Sequence, residues 1–550
     1  MNALDIAIVI IYIVFLLGMG YFFKNNNNAK EYFLGGRNIG WFPLSLSTMA
    51  TQLSAISFIS APAFVGLKLN GGLKWLTFEF AVPIAMAFIL LFVIPPLFRS
   101  GVVSIYEFIE RRFATSTRLI LSIVFQISKA LGTGVMVYTV ALILQAILDI
   151  NYIYTVAIIS VITIAYSLQG GMKAVVWGDA IQMILLFLGL LVCLCYGWNL
   201  IQDHGGLAQG FDPERLQVID FNMGLGKGEE YGIWPMLIGG FFLYVSYYGC
   251  DQTQAQRLLA AKDENTIKKL LLANGLLRFP VVLVYCIMGL FVGALLTLDP
   301  DFMKEIGQIT QNHFPEEYAS LGYKADLMIP VFITRYLPHG FIGILMVAIL
   351  SAAMSSLSST VNSLSAVSVE DFFNTGKEKL STKKYMKLSK IAVFFWGLVC
   401  IGSSFLFGGG GTVIEIINAI GSVFYGPVLV TFILAIFSKR VNHIGMNTGI
   451  ITAVAINFGL TATGQSLLAN VFGVSINLTV FWIWLNFTGV VIALIVAYGI
   501  SFATSKIAIK EDTGISFRVK RKELLSKEVL ILVSFFVLLL IIGAYLPKLF

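Results

Sequence analysis

Charge is scarce in this chain of 550 residues: Asp, Glu, Lys and Arg make up 12% of it, against 57% hydrophobic residues. Soluble domains carry about a quarter charged residues, so a water-soluble globule is excluded. Histidine is nearly missing. The four present (His204, His313, His339 and His443) fall in loops or at the ends of apolar runs. Cysteine is limited to five, Cys193, Cys195, Cys250, Cys286 and Cys400, all inside apolar segments. Such placement offers neither a metal set nor a disulfide framework, and the five read as small core residues. No HExxH, GxSxG or phosphate-loop sequence occurs, so the chain is not expected to be an enzyme.

What the chain has is apolar length. Runs of about 20 apolar residues signal spanning helices. Fourteen occur, near 3–22, 41–69, 74–98, 117–148, 151–168, 175–200, 233–256, 266–297, 330–370, 384–408, 411–437, 442–464, 476–503 and 528–547. No Lys or Arg precedes the first run and Lys24 follows it, so it is expected to stay as a helix rather than be cleaved as a signal. If residue 1 lies outside, the inside segments hold 27 of the 37 Lys and Arg residues. Cytoplasmic loops collect these residues, so both termini are expected outside. The net charge of +7 is mostly that bias and is no sign of nucleic-acid binding. Asn- and Lys-rich loops fit a bacterial plasma membrane.

A core that starts at residue 41 and repeats after five helices must invert its second copy. Residues 41–200 and 233–437 would then form an inverted pair, a transporter plan with its site at mid-membrane. A leading helix over 1–23 precedes the pair, and three accessory helices over 442–550 follow it. Two acidic loops, 201–232 and 298–329, are the large external segments, with a short helix expected in "FPEEYASLGYKADLMIP" (314–330). Residues 504–527 read as a basic cytoplasmic linker. The stretch "SLSTMATQLSAISFISAP" (45–62) mixes hydroxyl, amide and apolar residues, with Pro62 at its end. That composition suits a helix broken at the midplane, its freed carbonyls facing a cavity.

The segment "SAAMSSLSSTVNSLS" (351–365) packs seven serines into an apolar run. Ser355, Ser358, Ser359 and Asn362 share one helix face. These hydroxyls can bond back to their own helix or allow close helix packing. The alternative is an oxygen cage for a hard cation, and neutral oxygens suit sodium. Asp179, near the start of a span, marks an ion or proton path or a structural pair with a nearby Lys or Arg. Glu79, Arg278 and Glu415 are also buried by position. Glu79 and Arg278 either neutralise one another or line a polar cavity.

Four stretches resemble motifs of the sodium/solute symporter family, in the family's order: "GVVSIYEFIERRF" (101–113), "AYSLQGGMKAVVWGDAIQ" (165–182), "DQTQAQRLLAAKD" (251–263) and "AAMSSLSSTVNS" (352–363). The resemblance covers almost the whole length. It implies an all-α polytopic, LeuT-like fold of about fourteen transmembrane helices, a five-plus-five inverted repeat with one leading and three trailing helices. It implies sodium as coupling ion where the first and eighth core helices meet, held by backbone carbonyls of Ala50, Leu53 and Ala352 and hydroxyls of Ser355 and Ser356. By the same resemblance a second sodium site would use Asp179, Ser355, Ser358 and Ser359. For solute, the sugar-carrying branch implies Ser57, Glu79, Tyr247, Arg278 and Asn418. Arg278 stands where that branch has lysine, and Tyr244 where it often has asparagine. Gly132 stands where sialic-acid carriers have an arginine. The expected function is sodium-driven symport of a small polar solute, with a neutral sugar or polyol leading. Glu79 can accept from sugar hydroxyls and Arg278 can donate to them. An organic anion (monocarboxylate, vitamin or sialic acid), proton coupling through Asp179, or an ion channel are the alternatives. The implied partners are a small-molecule solute, sodium and the lipid bilayer.

Overall fold

A computed structural model describes residues 2–22, 29–148, 150–204, 212–225, 228–375, 380–407, 412–473, 478, 480–504 and 521–549. Most of the linker expected at 504–527 lies outside the described residues. Apart from one isolated bridge between Ile39 and Ala261, the described secondary structure is helical. Nine helices are long and apolar enough to cross a membrane, and up to twelve spans result if each of three bent helix pairs counts as one. Two shorter apolar helices, Ala3–Gly18 and Tyr152–Ile164, cover the remaining two of the fourteen expected runs.

In chain order the helices that carry the argument are α1 (Ala3–Phe22), α2 (Trp41–Gln52), α3 (Ala55–Gly66), α4 (Leu73–Ser100), α5 (Thr115–Leu148), α6 (Tyr152–Asp203), α7 (Ile233–Gly249), α8 (Gln252–Leu259), α9 (Glu264–Leu298) and α10 (Phe341–Ser368). After them come α11 (Thr382–Ser404), α12 (Val413–Phe437), α13 (His443–Gly459), α14 (Trp484–Ala503) and α15 (Lys527–Tyr545). The expected short helix in the second acidic loop is Pro315–Leu321, and a longer one, Pro300–His313, precedes it.

Several boundaries differ from the sequence expectation, each for a local reason. The break in the first core helix falls at Leu53–Ser54, with a bend of 54° between α2 and α3. Pro62 instead sits inside α3. Ser54 is extended and its hydroxyl accepts from the Ile56 amide, so it caps α3 as serine does at helix starts. The runs 151–168 and 175–200 join in α6, interrupted only by Gly171, whose φ of 56° suits glycine. The run 330–370 is cut at 337–340, where Pro338 and left-handed Gly340 (φ 93°) separate Met328–Tyr336 from α10. A second bent pair, α7 and α8, turns by 54° at Cys250–Asp251, which the apolar pattern does not announce.

Close packing brings the broken helices to the centre. Gly289 and Gly293 of α9 lie against Pro62 and Gly66 of α3, where a Cβ on Gly293 would come within 2.6 Å of the Gly66 backbone. Small residues spaced by four allow this approach inside a membrane. α10 packs on α6, α2 and α3. Its start has no cap from its own chain segment. Instead Asp5 of α1, fully buried, accepts from the amides of Gly340 (2.7 Å) and Gly343 (3.0 Å) and pairs with His339 (2.9 Å). The leading helix thus supplies the N-cap of α10 in trans. Asp5→Ala is expected to cost about 1–2 kcal/mol of stability, and Asp5→Asn less, since its amide oxygen still accepts. Denaturation midpoints of the purified protein in detergent check both.

Candidate functional site

The two breaks and the serine-rich helix face one another around a cavity of about 130 Å³. At the first break the Leu53 amide donates to Met49 (2.7 Å), and the amides of Ser57 and Phe58 turn back to Ser54. Among the described residues, no backbone amide reaches across the break to the carbonyls of Ala50 or Leu53. Two of the carbonyls implied for sodium therefore keep their lone pairs. Opposite them on α10, Ser356 donates back to the Ala352 carbonyl (3.2 Å), and Ser355 donates to Asp179. A hydroxyl that donates in this way leaves its oxygen lone pairs for a cation. The five residues implied for the first sodium site thus belong to two packed helices, α2 and α10, and to the break that follows α2.

Asp179 has a partner that the sequence reading did not assign. Its carboxylate is 2.7 Å from Arg257 of α8 and accepts from Ser47 (2.6 Å), Ser355 and Ser359 (3.4 Å). Arg257 in turn donates to Ser47 (2.8 Å), Ser359 (2.6 Å) and the Thr253 carbonyl (2.5 Å). Both ions are about 1% exposed. Ser358 turns away from this group and bonds back to Ser355 of its own helix (3.0 Å). Of the four residues implied for a second sodium, Asp179, Ser355 and Ser359 are brought together with a guanidinium among them.

The five residues implied for solute all line the cavity: Ser57, Glu79, Tyr247, Arg278 and Asn418. Glu79 and Arg278 form the neutralising pair left open by the sequence. Arg278 donates to both carboxylate oxygens (2.5 and 3.0 Å), and Tyr244 adds a third bond to Glu79 (3.0 Å). Such a two-pronged contact is the strong form of this interaction. Tyr247 donates to the Thr51 carbonyl at the first break (3.3 Å). Asn418 donates to Ile414 of its own helix (2.7 Å). Glu415 is not part of this wall: it pairs with Lys68 (2.5 Å) beyond the end of α3 and accepts from Tyr231.

Two cavity residues escape a reading of the sequence. Gln52 lines it with a buried Oε1 that has no partner among the described residues. Lys129 of α5 also lines it, 2.7 Å from Asp251 at the second break and 4.7 Å above the Tyr247 ring. Lys129 stands one turn from Gly132, so a lysine inside a span was the available signal. Among the described residues, no group of three or more His, Cys, Asp or Glu side chains is arranged to hold a metal. A cation here would be held by neutral oxygens.

The sodium:solute symporter family model matches residues 32–453. Mouse sodium-coupled monocarboxylate transporter 2 is 27% identical over 80% of this chain and 69% of its own. The human sodium/iodide cotransporter is 29% identical over 80% of this chain and 66% of its own. A putative sodium-dependent multivitamin transporter of Drosophila melanogaster is 25% identical over 83% of this chain and 74% of its own. Among solved structures, the substrate-bound outward-open state of a Na+-coupled sialic acid symporter superposes with a TM-score of 0.75 at 23% identity, covering 92% of this chain and 99% of that one. That likeness fixes the LeuT-like fold.

Removing one member of the buried Asp179–Arg257 pair leaves the other charged and unpaired. Arg257→Gln and Asp179→Asn are each expected to cost about 3–5 kcal/mol. The double variant is expected to lose much less than the sum. A double-mutant cycle of denaturation midpoints reads this directly.

Proposed function

Because the chain belongs to the sodium:solute symporter family, and so is a multi-pass sodium-coupled solute symporter and no enzyme, we propose that its solute is a small organic anion of the carboxylate class, imported by alternating access. The charge state of the cavity wall carries this reading. Glu79, the acceptor on which the expectation of a sugar rested, has both oxygens bonded by Arg278. Lys129 keeps 13% of its side chain exposed while its counter-ion Asp251 keeps 5%. The more accessible member of that pair is therefore the cation. Hydroxyls of Ser57 and Thr133 line the same space. Relatives named for monocarboxylate and iodide carry anionic cargo, which agrees with this choice.

The coupling ion in this reading is one sodium, at the carbonyls of Ala50, Leu53 and Ala352 and the hydroxyls of Ser355 and Ser356. The group at Asp179, Ser355, Ser358 and Ser359 is left out of the proposal, because Arg257 already supplies positive charge there. Residues 41–200 and 233–437 act as the two inverted halves that rock about the site, with both chain ends outside, as the distribution of Lys and Arg suggests. One charge moving through about 100 mV supplies roughly 2.3 kcal/mol, and a tenfold gradient adds about 1.4 kcal/mol. Their sum supports accumulation of several hundredfold for a neutral solute. A monovalent anion moving with one sodium forgoes the voltage term and keeps the chemical one.

Proteoliposomes loaded at fixed pH test the reading. Lactate, propionate or benzoate uptake above that of protein-free vesicles is expected with an inward sodium gradient and not when choline replaces sodium. Ser355→Ala and Ser356→Ala are expected to raise half-maximal sodium about tenfold, the size of one lost charge-assisted contact of about 1.4 kcal/mol. Unchanged sodium dependence in both variants removes the sodium assignment, and uptake indifferent to sodium removes the coupling.

A further inference from the structure

We propose that Lys129 selects the anionic end of the solute, and that Asp251 holds its place until the solute arrives. This rests on the carboxylate reading above. Lys129 sits mid-way along α5 and lines the cavity, its ammonium held between Asp251 (2.7 Å) and the face of Tyr247 (4.7 Å). An ammonium this deep in a span needs an anion beside it. A carboxylate brought in by the solute can share the ammonium with Asp251, and the negative charge that it adds is matched by the sodium that enters with it.

The two cations of the cavity are not equivalent in this respect. Arg278 is clamped through two parallel bonds to Glu79 and contacts Tyr244 (3.2 Å) and Tyr248 (3.4 Å). Four of its five N–H donors are engaged. Lys129 is a point charge on a flexible stem with three donors, joined to Asp251 through one carboxylate oxygen, Oδ2. The other oxygen, Oδ1, accepts from the Thr253 amide (2.8 Å) and so caps α8. Asp251 therefore divides its work: one oxygen holds the second break together and the other holds Lys129. Only the second task is given up when a solute carboxylate takes Lys129. The cap stays, and the α7–α8 break keeps its shape because Asp251 keeps its charge at the N-terminus of α8, where the helix dipole favours an anion.

The division of labour makes the two residues respond with opposite sign. Full-length protein in proteoliposomes is assayed for sodium-driven uptake of radiolabelled lactate. Propionate and benzoate serve as competitors, and lactamide, propionamide and benzamide are their neutral counterparts. Lys129→Gln is expected to raise KM for lactate about tenfold or more and to bring the carboxylate-to-amide preference close to one, with half-maximal sodium unchanged. Asp251→Asn retains an oxygen for the cap, at which Asn serves as well as Asp, and frees Lys129. It is expected to lower KM severalfold. The double variant removes both charges together, so it reports on recognition even if an unpaired Asp251 impairs folding of the single one. It is expected to show the weak preference of Lys129→Gln. If Asp251→Asn raises KM as Lys129→Gln does, the pair is merely structural and the proposal is overturned. If the wild type takes up lactate and Lys129→Gln, or the double variant, does so with the same KM and preference, the role of Lys129 falls and the carboxylate reading stands. If the wild type shows no sodium-dependent response to any of the three carboxylates, both fall together.

Discussion

The ion pair between Asp179 and Arg257 joins four helices at one buried point. Asp179 comes from α6, Arg257 from α8, Ser47 from α2, and Ser355 and Ser359 from α10. Separately, either ion would be left uncompensated in this apolar surrounding, at a cost of several kcal/mol. Together, with three hydroxyls satisfying their remaining donors and lone pairs, they form a polar knot that fixes how the first broken helix, the second broken helix and the serine-rich helix lie relative to one another. The positions proposed for sodium lie on those same helices, which also line the cavity. Ala50 and Leu53 follow Ser47 by less than two turns, and Ser355 belongs to the knot as well as to the implied sodium site.

Above this knot the cavity repeats one solution to one problem. Each buried charge facing it has an opposite charge within hydrogen-bond reach, Glu79 with Arg278 and Lys129 with Asp251. The wall is neutral overall but uneven in how firmly its charges are held. A firmly clamped pair contributes shape and fixed polarity. The pair at the helix break joins a flexible ammonium to a single carboxylate oxygen.

Much of the fold was legible because the bilayer allows few alternatives. Fourteen apolar runs, the break near the hydroxyl-rich stretch 45–62 and the serine-rich helix, expected over 330–370 and found from 341 to 368, follow from backbone groups that must be satisfied within helices. The pairing of buried charges was legible only as a menu. Glu79 with Arg278 stood among the options. Asp179 was open to a Lys or Arg partner without a name, and Arg257 drew no attention because the apolar pattern puts it just past a span. Lys129 was visible as a charge inside a run, yet nothing in the order of residues says that it meets Asp251, more than a hundred positions away. The second break, at Cys250–Asp251, carries neither proline nor a run of hydroxyls, so no local preference marks it.

Taken alone, the sequence determined that this chain is helical and membrane-embedded, and which family it resembles. Hydrophobic length and the cost of unsatisfied backbone in lipid act locally, within one segment at a time. Which charges neutralise one another was decided by tertiary structure. Coulombic pairing depends on distances between segments remote in the chain, and those distances exist only once the broken helices have packed around the serine-rich one.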